Sequence, residues 1–248
     1  MNTPAPYYRY RIEFRKLGDL RWIGHHDLAR TVERIFRRLE LPLKMSQGFH
    51  PKPKIRFASA LALGIASDVE WVEVELREPW DPDRLLAALR QEAPSGLDFT
   101  RAGVSSGKMP QLETATYTIA VPGARREQLR QAVTRLWEAR QCLIQRPGRA
   151  EAVDVRQGLR RIELRDGILE FTVVAGRRGA VRPREVLQVL QADDLESDGA
   201  ILRRTSVTFD SDRAASCAES EAEPAASGSG ASQGLDPLVL KSLDQPPS

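Results

Sequence analysis

The chain is poor in cysteine and histidine and has no long apolar run. Its two cysteines, Cys142 and Cys217, stand far apart and form no ligand set. Neither an iron–sulfur cluster nor a structural zinc is expected in this chain, and no disulfide is expected between the two cysteines. No stretch approaches the roughly 20 apolar residues that span a bilayer. Residues 1–10 carry no apolar segment of the secretory kind, so a reducing cytoplasm is the expected compartment. Also absent are the Gly-x-x-x-x-Gly-Lys-Ser/Thr phosphate loop, a Gly-x-Gly-x-x-Gly turn after a strand, and the Gly-x-Ser-x-Gly elbow. Their absence argues against the common nucleotide-binding and hydrolase classes. Histidine occurs only as His25, His26 and His50.

What the chain does have is enough apolar content, 41%, for a buried core. It also has a lopsided charge. Residues 1–57 hold 13 Lys and Arg against 5 Asp and Glu, whereas residues 210–248 hold 2 against 7. A basic first third beside an acidic tail points to an anionic partner for the folded part.

Special residues are densest in Ser46-Gln47-Gly48-Phe49-His50-Pro51-Lys52-Pro53-Lys54-Ile55-Arg56-Phe57. Gly48 frees the backbone, while Pro51 and Pro53 stiffen it and remove donors. A stiff loop carrying His, Lys and Arg is suited to grip an anion or a nucleic-acid backbone.

Patterning then gives the elements. Tyr7–Lys16 alternates apolar and charged residues and reads as a half-buried strand with a charged outer face. Asp27–Glu40 reads as a helix, with Leu28, Val32, Ile35, Phe36 and Leu39 on one stripe and Arg30, Arg34, Arg37 and Arg38 opposite. Gly24 is the expected N-cap, which puts Asp27 at a capping-box position and His25 and His26 in the first turn. Short strands are expected at 43–46 and 55–62, a turn at 64–68, and an alternating apolar/acidic strand at 69–76. The helix 82–93, with Asp81 as cap, and a strand at 97–105 complete a first unit. A similar order follows a polar join: strand 116–121, helix 124–140, strand 142–146, the hairpin 162–164 and 168–174, helix 183–191, strand 200–209. The expected fold class is α+β, with two tandem ferredoxin-like (split βαβ) modules over 7–105 and 114–209. Residues 210–248, rich in Ser, Ala, Gly, Glu and Pro, read as a disordered acidic tail apart from a short Leu-rich piece at 235–243. Removing that tail is expected to leave the thermal midpoint nearly unchanged.

The segments Gly18-Asp19-Leu20-Arg21-Trp22-Ile23-Gly24-His25-His26-Asp27 and Ser46–Lys54 resemble the radical-SAM-linked protein family, a bacterial family of unknown function. Further points of resemblance are Gly64, Ser67, Glu70, Asp154-Val155-Arg156, Arg182-Pro183-Arg184-Glu185-Val186-Leu187 and Arg203. His25, Asp27, Gly48, Phe49, Pro51, Pro53 and Lys54 match the family's pattern. Gly24 departs from it where Ser is usual, and Lys52 where His is common. The resemblance implies a partner, a radical S-adenosylmethionine protein with a cobalamin-binding domain. Iron–sulfur cluster, S-adenosylmethionine and cobalamin would sit on that partner and not on this chain.

Three functions remain open from the sequence. One is an RNA-binding module that presents its RNA to the radical enzyme, with phosphates on the arginines and lysines and a base on Trp22 or Phe49. Another is a protein–protein adaptor without RNA. The third is a metal-independent RNA endonuclease using His25 or His50 as acid or base and Lys54 at the phosphate. The candidate binding set is Arg21, Trp22, His25, Asp27, Arg30, Arg34, Arg37, Gln47, Gly48, Phe49, His50, Lys52, Lys54 and Arg56. Within it His25, Asp27, His50 and Lys54 are expected to converge on one cleft, where the helix N-terminus and the lysines would hold a phosphate.

Overall fold

The structure is a computed structural model that describes residues 7–149, 151–175 and 180–210. The tail expectations, from residue 211 onward, lie outside the described residues.

The first half runs β1 (Tyr8–Lys16), α1 (His25–Arg38), β2 (Ile55–Phe57), β3 (Ala66–Leu76), α2 (Pro82–Glu92) and β4 (Leu97–Val104). The second runs β5 (Leu112–Ala120), α3 (Arg126–Glu138), β6 (Leu143–Ile144), β7 (Val153–Asp154), α4 (Val155–Gly158), β8 (Leu159–Arg165), β9 (Ile168–Val174), α5 (Pro183–Val189), α6 (Asp194–Ser197) and β10 (Arg203–Phe209). The fold is α+β. Among the described residues, eight strands form one sheet in the order β4-β1-β3-β10-β5-β9-β8, with β2 on the edge of β3. Every pairing in it is antiparallel except β3 with β10. That single parallel contact, Ala66 with Arg203 and Ser67 with Arg204, joins the two halves.

Alternation along β1 sends Tyr10, Ile12 and Phe14 into the core with α1 and α2, and Arg9 and Arg11 to the other face. α1 buries Leu28, Val32, Ile35 and Phe36, as its stripe predicts. A second apolar cluster fills the other half, built on Ile119, Leu129, Phe171, Leu187 and their neighbours.

Several expected boundaries change. Residues 43–46 form no strand, only the isolated bridges Leu43–Leu76 and Met45–Pro53, because Pro51 and Pro53 have no N–H to continue a ladder. The strand expected at 55–62 ends at Phe57, since β10 occupies the remaining edge of β3. For the same reason Ala66 and Ser67 are paired strand residues and not part of a turn. The strand expected at 142–146 shrinks to β6 and pairs with β7, away from the main sheet. Asp210 belongs to the folded body, not the tail: its carboxylate accepts the Gln111 N–H at 3.0 Å, and its N–H donates to the Gln111 carbonyl.

The acidic side chains of β3 divide. Glu73 accepts from Arg11 at 3.0 Å on the charged face. Glu70 pairs in register with Phe14, on the core side, and is buried. There it meets Arg204, itself only 2% exposed, which also donates to Ser59 Oγ at 3.0 Å. Lys16, 1% exposed, donates to the Ile23 carbonyl at 2.8 Å. Burial pulls the Lys16 ammonium below its ordinary pKa, and nearby Glu70 opposes the pull.

Gly64 shows how closely the halves approach. Its φ is +82°, and an added Cβ would lie 2.9 Å from both Trp22 Cζ3 and Arg184 Nη2. A left-handed conformation costs a non-glycine residue about 1–2 kcal/mol. Gly64→Ala is therefore expected to lower the melting midpoint by roughly 2–8 °C. Calorimetry checks this, and an unchanged midpoint contradicts the packing described.

Candidate nucleic-acid interface

Residues 43–54 fold back on themselves as a braced hairpin. The Lys44 N–H donates to the Glu75 carbonyl at 2.8 Å, and the Lys54 N–H to the Lys44 carbonyl at 2.9 Å. Ser46 and Lys52 close the tip: Ser46 N–H reaches the Lys52 carbonyl at 2.8 Å, and Lys52 N–H reaches Ser46 Oγ at 3.0 Å. Gly48, at φ +137°, makes the turn that other residues rarely adopt. Gln47, Gly48, Phe49, His50, Pro51 and Lys52 are all exposed. Phe49 stands 102% exposed and belongs to neither apolar cluster of the described residues.

The root of the hairpin is held electrostatically. Glu75 lies 2.7 Å from Arg56, 3.0 Å from Lys44 and 3.3 Å from Arg9. Burial alone would raise its pKa. The bonds from Lys44 and Arg56 and the charge of Lys54 outweigh burial and hold the carboxyl below its ordinary range.

On α1, Arg30 lies 3.7 Å from Asp27, Arg37 2.8 Å from Glu33 and Arg38 3.7 Å from Glu92, all largely exposed. Arg34 is exposed and has no carboxylate partner among the described residues. Exposed pairs of this kind contribute about 0–1 kcal/mol, so a phosphate exchanges for the carboxylate at little cost. Asp27 faces Arg30, and no bond from its carboxylate to the Gly24 N–H forms, so the capping-box expectation gives way.

Arg21 stacks on Trp22 with its guanidinium 4.8 Å from the ring centroid and donates to the Gly18 carbonyl at 2.9 Å. Trp22 remains half-exposed and lies over Gly64.

His25 sits edge-on to Phe57, 5.2 Å between centroids, and near His26. Burial lowers its pKa, and the charge of His26 lowers it further. A histidine whose folded pKa falls below its unfolded value of about 6.5 stabilises nothing on protonation. Stability is then full above that value and declines as pH falls below it toward the folded pKa. The expected result is a His25 NMR titration midpoint under 6.5, and a flatter stability–pH profile between 7 and 5 in His25→Gln. A midpoint at or above 6.5 contradicts the described burial.

The expected convergence of His25, Asp27, His50 and Lys54 is corrected. Phe57 faces the helices, touching Phe14 as well as His25, so its strand neighbour Arg56 projects to the opposite face and meets Glu75. Lys54 acts on the same Glu75. The sheet thus separates His25 from Lys54, and His50 stands on the exposed tip. Sequence reasoning missed the buried Lys16, Tyr117 and Arg204, with the half-buried Ser59 beside them. Their signal was there in part: Lys16 and Glu70 are charges at inward positions of alternating strands.

Among the described residues no group of three or more His, Cys, Asp or Glu is placed to hold a metal. No described helix is long and apolar enough to cross a membrane.

Fold and site define a class: an α+β protein with a mostly antiparallel sheet and an exposed basic hairpin at its edge. A family model for uncharacterized proteins conserved in bacteria, DUF2344, matches residues 9–183, and the chain belongs to that family. No curated protein matches the chain.

Proposed function

We propose that this chain is an accessory RNA-binding protein that presents an RNA to a radical S-adenosylmethionine enzyme for modification or processing. One observation carries the RNA reading: the fully exposed Phe49 on a hydrogen-bonded tip, flanked by His50, Lys52 and Lys54. An aromatic face beside cations is what single-stranded RNA uses, one base stacked and its phosphates neutralised. The radical enzyme enters through the sequence resemblance alone. The strand orders β4-β1-β3-β2 and β10-β5-β9-β8 support reading the body as two tandem ferredoxin-like modules.

The nuclease reading with His25 as acid or base loses support because His25 and Lys54 lie on opposite faces of the sheet; with His50 in that role it is separated by metal-free cleavage of a labelled RNA. The adaptor reading shares the exposed cations and is separated by experiment. Ultraviolet cross-linking to a radiolabelled single-stranded RNA, with the peptide mapped by mass spectrometry, is expected to mark residues 47–54. Cross-links confined to other peptides, or none at all, would reject the hairpin as an RNA surface.

A further inference from the structure

Between the halves lies an open cavity of about 860 Å³. One wall comes from residues 59–65, ahead of β3. A second comes from β5 and β9. The third comes from residues 144–147 and from α5 with its preceding turn. Interiors normally leave few voids larger than a water molecule. Ligand cavities run from about 300 to 1,000 Å³, with apolar walls and a few placed polar groups.

This cavity has that composition. Leu61, Ile65, Ala115, Tyr117 and Val173 supply apolar surface. Among the described residues, four arginines line it against one carboxylate, Glu185. Three of the four are already matched. Arg146 bonds Glu185 at 2.6 and 2.8 Å, Arg184 bonds Glu196 at 2.6 and 2.9 Å, and Arg204 bonds Glu70. Arg182 differs. Its backbone N–H donates to Glu185 at 2.8 Å and its charge helps hold that carboxyl down, but its guanidinium makes no ion pair of its own among the described residues and its side chain is exposed. Among the described residues, one arginine lining this apolar hollow thus lacks an ion pair, while the other three are paired.

We propose that this cavity binds a small amphipathic anion: a planar or aliphatic body seated on the Tyr117 side, with a carboxylate or phosphate against Arg182. The site shares no residue with the hairpin, so it stands or falls independently of RNA binding.

The test uses the full chain and 8-anilinonaphthalene-1-sulfonate, itself an apolar body carrying one anion. Fluorescence titration is expected to show one saturable site. Arg182→Ala is expected to weaken it at least tenfold, since a charge-assisted bond is lost. Gln188→Glu adds a carboxylate among the lining residues without a large change of size and is expected to weaken it as well. Phe49→Ala is expected to leave dye binding unchanged while reducing RNA binding. Thermal midpoints confirm that each variant folds. Displacement of the dye by decanoate assigns a carboxylate ligand; displacement by adenosine monophosphate assigns a phosphate. No saturable binding to the wild type, full binding in both Arg182→Ala and Gln188→Glu, or displacement by neither competitor overturns the proposal.

Discussion

Arg204→Ala is expected to destabilise the protein by about 3–5 kcal/mol. Arg204, in the parallel pairing of β10 with β3, and Glu70, three residues along β3 from Ser67, are both buried. Truncating the arginine leaves the Glu70 carboxylate dehydrated, with Lys16 as a neighbouring cation whose ammonium burial already disfavours. It also removes the donors to Ser59 Oγ and to Tyr117. For a chain of this size the melting midpoint is expected to fall by roughly 6–20 °C. Replacing both partners, Glu70→Met with Arg204→Met, is expected to recover most of the loss, because well-packed apolar residues often substitute for a buried pair without penalty. Urea denaturation of the three proteins checks both statements. A loss under about 1 kcal/mol in Arg204→Ala, or a double variant worse than the single, contradicts the described junction.

That junction was the least legible part of the chain. β1 was readable because Tyr10, Ile12 and Phe14 alternate with arginines over a full strand, and α1 because its apolar stripe runs the length of the helix. Short elements followed local signals less well. The segment 43–54 reads as a short strand and a loop, yet its shape is fixed by bonds to Glu75 in a strand further along the chain, at the limit of what local pattern reports. Arg204 looked like one more arginine in a basic chain. Its role depends on the register of β10 against β3, a contact between residues 134 apart in sequence. The hairpin residues were legible as special by composition alone. Their split from His25 was not, because strand parity at Arg56 and Phe57 decides it only once β2 is placed on β3.

Combining Phe49→Ala with Lys52→Ser and Lys54→Ser is expected to reduce single-stranded RNA affinity by at least about a hundredfold at low salt. Loss of one stacked base costs about 1–3 kcal/mol. Each lost lysine contact removes further electrostatic attraction, most strongly at low ionic strength. All three side chains are exposed and unneeded by either apolar cluster, so the melting midpoint is expected to stay close to that of the wild type. Fluorescence anisotropy with a labelled oligonucleotide gives the affinity. A decrease of less than about fivefold contradicts the placement of RNA on this tip.

The most direct test of the central reading is the slope of log affinity against log salt for the wild type and for Lys52→Ser with Lys54→Ser. Each phosphate contact to a single strand contributes about 0.7 to that slope. The hairpin reading predicts that the double variant loses about 1.4 from the slope's magnitude, in proportion to two missing contacts. An equal slope in the two proteins, whatever their affinities, contradicts it and would move any RNA contact to another surface.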